Sequence, residues 1–260
     1  MAFSANLGFL FTDLTLIGAV RAAKAAGFGA VECHFPYETD PLELRAVLAE
    51  TGLPLLALNT WPGDRAAGDF GLAALPDRVE EARGEIDRAI AYASRAGAGA
   101  VHVMAGRTDG GAAAEKTFRD NLAYAASEAA RHGITILIEP INHRDAASYH
   151  LATVEQAARI VEGLGAPNLR IMFDCYHVQI AQGDVTTRFR THRDLVGHVQ
   201  IAAVPDRGEP DTGELDHAYL VAAIREAGFA TPIGAEYRPR GADTVAGLGW
   251  LKAPWAAREI

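Results

Sequence analysis

The sequence predicts an α/β protein, a single (β/α)8 (TIM) barrel over residues 1–260, and three observations carry that prediction. Eight short apolar runs, each able to form a buried strand, recur along the chain, and Ala-rich stretches with helical spacing separate them. Polar residues also stand at the carboxyl ends of many of the runs. Alternating strand and helix implies parallel pairing, and eight βα units in about 250 residues is the size of a barrel. A doubly wound open sheet is the competing architecture. It would place a Gly-x-Gly-x-x-Gly turn after the first strand and gather its polar residues at one switch point, and this sequence does neither.

In chain order the runs are FSANLG, GAVECHF, LPLLALN, AVHVMAG, ITILIEP, LRIMFD, GHVQIA and PIGAEY. Strands of a parallel sheet are covered on both faces, so they read as apolar throughout. Between them, LIGAVRAAKAAGF, RVEEARGEIDRAIAYASRAGA, EKTFRDNLAYAASEAARHG and TVEQAARIVEGLGA carry the helical period. Punctuation marks the boundaries. Asp40, Pro41 and Glu43 supply an N-cap, a proline at the first helical position and a capping-box acid, and Thr153 with Gln156 repeats the pattern. Gly27, Gly97, Gly133, Gly165 and Gly228 each follow a helical stretch, where a left-handed cap is needed. No Ser/Pro linker, low-complexity tract or compositional shift divides the chain.

With 49% hydrophobic residues the chain can bury a large core. Its net charge of −9, from 24 basic and 33 acidic residues, and its scattered arginines argue against nucleic acid as the partner, because phosphate neutralisation needs a clustered basic surface. A small molecule fits better. The first residues, MAFSANLGFLFTDLTLIGAV, are apolar but lack a basic start, contain Asp13 and never approach the ~18 apolar residues of a membrane helix, so a soluble, cytoplasmic protein with no membrane partner is expected. Cys33 and Cys175 stand alone, outside any CxxC or disulfide framework, and both fit a reducing compartment.

The fifth run ends abruptly in Glu139 and Pro140. In a barrel every strand points its carboxyl end at the same mouth, so residues distant in sequence meet there. The last polar residues of the final four strands are Glu139, Asp174, Gln200 and Glu236. Three acids and an amide in a partly desolvated mouth repel one another at a cost of several kcal/mol per unpaired carboxylate unless a cation sits among them. Four oxygen donors suit a hard divalent ion, Mg²⁺ or Mn²⁺. Taken one at a time, each has a blander reading: a strand-end Glu pairs with an arginine, Asp174 caps the next helix, and Gln200 is a satisfied core amide.

Other residues fall in the same ring. His177 follows Asp174 by three residues, His102 sits in the fourth run, and Asn6, Glu32 and Asn59 lie at or near the ends of the first three. They are candidates for substrate binding, with a hydrogen-bonded core histidine the alternative for His102 and a salt bridge for Glu32. Phe11 and Trp61 are candidate walls. The polar loop VPDRGEPDTGELD carries Arg207, a candidate clamp for a substrate carboxylate. The tail GLGWLKAPWAAREI brings Trp250 and Trp255, which either cover the outside of the barrel or meet a second subunit in a homo-oligomer.

With those residues laid out, the chain resembles the hydroxypyruvate isomerase family, within the xylose-isomerase-like barrels that include the ketose 3-epimerases. The pieces that carry the resemblance are IEPIN at 138–142, FDCYHVQIAQGD at 173–184, GHVQIA followed by PDRGEPDTGEL at 197–215, and GAEYRPRG at 234–241. The resemblance implies a metal held by Glu139, Asp174, Gln200 and Glu236, substrate contacts from His177 and Arg207, and Glu139 with Glu236 as acid and base. It implies an isomerase of carbohydrate metabolism that interconverts an aldose and a ketose through an enediolate, hydroxypyruvate and tartronate semialdehyde being the family's pair. A 2-oxo-tetronate or another short sugar or sugar acid is the competing substrate. Departures fall in the loops: NTWPGD after the third strand, CHFPY after the second and AAVPDRGEPD after the seventh differ from the family's usual segments. A metal-dependent hydrolase of the endonuclease IV type would want more histidine ligands and a basic groove, and a non-catalytic sugar-acid binder would not need paired glutamates.

Overall fold

The computed structural model describes residues 3–256. Eight strands, β1 (Phe3–Asn6), β2 (Ala30–Glu32), β3 (Ala57–Asn59), β4 (Ala100–His102), β5 (Thr135–Ile138), β6 (Leu169–Asp174), β7 (Val196–Ile201) and β8 (Ile233–Ala235), alternate with helices as expected. All pair in parallel in the order β2-β1-β8-β7-β6-β5-β4-β3. A parallel bridge between Val31 and Leu55, with Leu56 N–H donating to Val31 O at 2.8 Å and Cys33 N–H to Ala57 O at 3.1 Å, joins the two ends of that order and closes the barrel.

The helices are α1 (Leu16–Ala26), α2 (Pro41–Thr51), α3 (Val79–Ala96), α4 (Ala112–Ala130), α5 (Val154–Leu164), α6 (Cys175–Ala181), α7 (Val185–His192) and α8 (His217–Glu226). Asp40 caps α2 by accepting from Leu42 N–H, and Thr153 caps α5 by accepting from Gln156 N–H, each such cap contributing about 1 kcal/mol. The glycines at 27, 97 and 165 end α1, α3 and α5 at positive φ, a region that costs glycine nothing. Alanine dominates the inward faces: Ala82, Ala89, Ala93 and Ala96 of α3 are buried beside Ile86 and Ile90, which lets the helix lie close to the strands.

One feature departs from the sequence reading, and the tail takes the first of the two arrangements offered for it. The connection from β6 to β7 holds two helices that periodicity does not mark: α6 starts directly from the strand and reads as its apolar continuation, and α7 (VTTRFRTH) has a polar, Thr-rich sequence. The tail folds back over the barrel. Trp250 is buried, with its ring 5.1 Å from Phe3 and stacked on Trp255 at 5.9 Å, so this face is covered by the chain's own residues; the last four positions lie outside the described residues. Among the described residues no helix is long and apolar enough to cross a membrane.

Candidate active site

Strand residues two apart share a face, which fixes what fills the barrel. Ala57, Ala100, Leu137 and Met172, from β3 to β6, form one buried apolar cluster separate from the outer core. Two positions further along the same strands come Asn59, His102, Glu139 and Asp174, so these polar groups stand directly above an apolar plug. The opposite half of the interior is polar. Glu32 is buried and receives His198 Nε2, Gln200 Nε2 at 3.2 Å and Asn6 Nδ2 at 3.4 Å. Gly234 faces this group: a Cβ there would lie 2.4 Å from Glu32 Oε1 and 2.8 Å from Gln200 Cγ, so only glycine leaves room.

At the mouth, ligand-type atoms of Glu139, Asp174 and His177 lie within 4.8 Å of one another. His177 Nε2 is 3.6 Å from Asp174 Oδ2 and 3.7 Å from Glu139 Oε1, and His102 Nδ1 is 3.7 Å from Glu139 Oε2. Asp174 serves twice: Oδ1 accepts from Tyr176 N–H at 2.8 Å and caps α6, while Oδ2 faces the cluster. Glu236 is anchored on both sides. Its Oε1 meets His34 Nε2 at 2.8 Å and accepts from Asn6 Nδ2 at 3.0 Å, and its Oε2 accepts from Arg207 Nη2 at 2.9 Å. Asn6 is oriented by Gly8 N–H, which donates to its Oδ1 at 2.9 Å, and a Cβ on Gly8 would come within 2.1 Å of His34 Nδ1.

Arg207, the candidate clamp for a substrate carboxylate, is paired with the site's own acids. Its guanidinium touches three acids, with Nη2 also 3.4 Å from Asp174 Oδ2 and Nη1 3.6 Å from Asp145 Oδ2, and it lies against the rings of Tyr176 at 4.9 Å and Phe9 at 5.1 Å. Those acids already compensate its charge, which makes it a poor clamp for an added carboxylate and a good counter-cation for the site's own.

Burial pushes the Glu139 carboxyl well above the usual range, and Glu236 and Asp174 nearby push it further. Asp174 rises to about 7, burial outweighing the Arg207 guanidinium. For Glu236 burial also acts upward, but Arg207 and His34 overcome it and hold the carboxyl well below its ordinary value. His102 falls to about 4 and His177 falls well below 6.5, both chiefly through burial.

The donor set fits a hard divalent cation. Glu139 Oε1 and Gln200 Oε1 are buried acceptors without a hydrogen-bond partner among the described residues, an expense of about 1–3 kcal/mol each that an ion would remove. Glu32 also fixes the direction of Gln200: by accepting from Nε2 it leaves Oε1 as the free oxygen.

Above the cluster lies a cavity of about 250 Å³. Of the residues singled out in the sequence, Glu139, Glu236, His102, His177, Asn59 and Arg207 line it, whereas Asp174, Gln200, Asn6 and Glu32 are buried and do not, Asn6 and Glu32 having their polar atoms bonded to neighbours. Phe11 and Trp61 are not in its wall; Phe9, Phe35 and Phe70 are. His34, Asp145, Arg65 and Arg238 also line the cavity and were not singled out. For His34 a signal existed, since it follows Glu32 by two on the same face, as His198 precedes Gln200 by two.

A family model described as "Xylose isomerase-like TIM barrel" matches residues 20–253. A 2-oxo-tetronate isomerase of Cupriavidus necator is 47% identical over 98% of this chain and 99% of that one. Hydroxypyruvate isomerase of Escherichia coli is 39% identical over 96% of this chain and 98% of its own. Among solved structures, a Brucella melitensis protein described as AP endonuclease, family 2, superposes with a TM-score of 0.92 at 39% identity, covering 96% of this chain and 98% of that one.

Proposed function

The chain belongs to the xylose isomerase-like TIM barrel family and is an isomerase acting on a small molecule, and from that premise we propose that it moves a carbonyl between adjacent carbons of a short 2-oxo acid through an enediolate. Hydroxypyruvate, giving tartronate semialdehyde, and a 2-oxo-tetronate are the substrates the relatives' names supply. The observation that carries the reading is the pair of carboxylates, Glu139 and Glu236, brought to one small cavity from β5 and β8.

Glu139, Asp174, Gln200 and Glu236 would hold a divalent ion, Mg²⁺ or Mn²⁺, which when bound supplies Lewis-acid polarisation of the substrate carbonyl. One of Glu139 and Glu236 removes the proton from the carbon beside the carbonyl, and the other returns a proton to the neighbouring carbon, while one proton passes between the two oxygens. His34 and Asn6 keep Glu236 fixed for that exchange. His177 orients a substrate oxygen from the wall. Arg207 neutralises the acids, and the substrate carboxylate meets Arg65 and Arg238, which line the cavity and make no ion pair among the described residues. Free Cys33 and Cys175 fit a reducing, cytoplasmic compartment.

The name of the Brucella relative raises a nuclease reading. A net charge of −9 and a cavity of about 250 Å³ suit a short acid and not a nucleic-acid backbone. Proton NMR in D₂O, with metal-stripped protein and added Mg²⁺ or Mn²⁺, tests the proposal: metal-dependent loss of the C–H signal of hydroxypyruvate or a 2-oxo-tetronate is expected. Glu139→Gln or Glu236→Gln should slow it by about 10²- to 10⁴-fold. No exchange with any short oxo acid would overturn the reading.

A further inference from the structure

His177 stands at ligand distance from two acids, yet the groups behind it decide what its ring can do. Asn142 and His177 are both buried, and Asn142 Nδ2 lies 2.6 Å from His177 Nδ1. The orientation of that amide is set from the other end, because Asn142 Oδ1 accepts from Asp145 N–H at 2.9 Å, which turns Nδ2 toward the histidine. The backbone N–H of Asn142 points to the same ring nitrogen at 3.4 Å. Two N–H groups converge on Nδ1, and an amide nitrogen offers no lone pair to accept a proton. A neutral imidazole that accepts at one nitrogen carries its proton on the other.

We infer that Asn142 holds His177 in the Nε2–H tautomer, so that His177 is a hydrogen-bond donor to a substrate oxygen and not a metal ligand. The role at a substrate oxygen rests on the isomerase reading; the tautomer does not. Nε2, the atom nearest Glu139 and Asp174, carries the proton and has no lone pair to give an ion. Pointed at the acids, the N–H instead aims at the oxygen of any substrate lodged between them. Asn142 thereby acts as a positioning residue. It sits in the β5–α5 connection, three residues after Glu139, so one loop delivers both an acid and the group that sets its neighbour's protonation pattern.

Long-range ¹H–¹⁵N spectra of protein labelled in its histidine rings test this directly near neutral pH, the His177 signals being assigned by their loss in His177→Gln. The expected result is a pyridine-type Nδ1 and a protonated Nε2 in the wild-type chain, retained when Mg²⁺ is added. Asn142→Asp places an acceptor beside Nδ1 and should reverse the pattern to Nδ1–H, with kcat for proton exchange falling about 10²-fold or more and KM changing much less. Asn142→Ala, which removes the amide donor without adding charge, should give mixed tautomers and an intermediate kcat. An Nδ1–H wild type, a Mg²⁺-induced conversion of Nε2 to a ligated nitrogen, or an Asn142→Asp protein with the wild-type tautomer and kcat would overturn the inference. If the expected tautomer is present and wild-type protein exchanges no proton from any oxo acid, the isomerase reading fails and the tautomer assignment stands.

Discussion

Arg207 Nη2 lies 2.9 Å from Glu236 Oε2, and the same nitrogen is 3.4 Å from Asp174 Oδ2, so one largely buried guanidinium bridges carboxylates at the ends of β8 and β6. This pairing explains how several acids coexist in a desolvated mouth. Leaving buried charges without their partner is strongly unfavourable, by about 3–5 kcal/mol. Arg207→Met should therefore lower the unfolding free energy of metal-free protein by about that amount, and Mg²⁺ should restore part of the loss. Urea midpoints with and without Mg²⁺ measure both effects; a variant as stable as wild type without metal would show that the pair is not what holds the acids together.

Proton linkage provides a second handle. Asp174 is raised from 3.8 to about 7 by burial, and Glu139 is raised well above 4.5 by burial and its acidic neighbours. Asp174 in the folded protein keeps a proton that the unfolded chain has released, so its contribution to stability is complete below about pH 4 and is lost as pH rises through about 7, and Glu139 acts with the same sign. His102, lowered from 6.5 to about 4 by burial, acts with the opposite sign, since the unfolded chain takes its proton first as pH falls. Comparing Mg²⁺-loaded with metal-free protein isolates the carboxylates. An ion must displace their protons, so affinity should tighten with pH between 5 and 7, by about tenfold per unit for each proton released. Titration calorimetry in two buffers of different ionisation enthalpy counts the protons; a pH-independent affinity would contradict the assignment.

Substrate charge should be read at the rim. Arg238 lies 5.3 Å from the Phe9 ring, which Arg207 also approaches at 5.1 Å, and Arg65 sits in a turn tied together by Asp64 and Asp69. Both are exposed to solvent, so each is worth less than a buried charge. Arg238→Gln and Arg65→Gln should each raise KM for a carboxylate substrate about three- to tenfold and lower the preference for that acid over a neutral hydroxyketone of equal length. If acid and neutral compound suffer equally, the carboxylate is bound elsewhere.

Strand ends were legible where chemistry and periodicity coincide. Glu139, Asp174 and Glu236 follow apolar runs, and the topology then brings them together without further information from the sequence. His198 was not singled out, because its partner Glu32 lies 166 positions away and nothing local to β7 points to that contact. Asp145 and Arg207 come from different loops and meet only because each loop folds on its own hydrogen bonds. The same reason defeats the aromatic wall: loop residues lack a period, so nothing in the sequence distinguishes Phe9, which faces the cavity, from Phe11, which does not. Helix α7 hid behind its threonines, and the pairing of Arg188, midway along it, with Glu155 of α5 ties it to the barrel.

Gly234 links the polar interior to the metal-ligand candidates and can be tested without touching either. A methyl added there would lie 2.4 Å from Glu32 Oε1 and 2.8 Å from Gln200 Cγ. Glu32 is held by His198 and Asn6, and Gln200 by Glu32, so neither can swing away without breaking a buried hydrogen bond. Gly234→Ala should therefore cost about 1–3 kcal/mol of stability through overpacking. Because Gln200 carries the unpartnered oxygen proposed as a ligand, divalent-ion affinity should also fall by about tenfold, the scale on which supporting contacts usually act. Gly241→Ala, where a methyl meets nothing within 4 Å, is the matched control. Thermal unfolding and ion titration on the two variants separate the outcomes: a Gly234→Ala protein that loses stability but binds Mg²⁺ like the control would remove Gln200 from the ligand set.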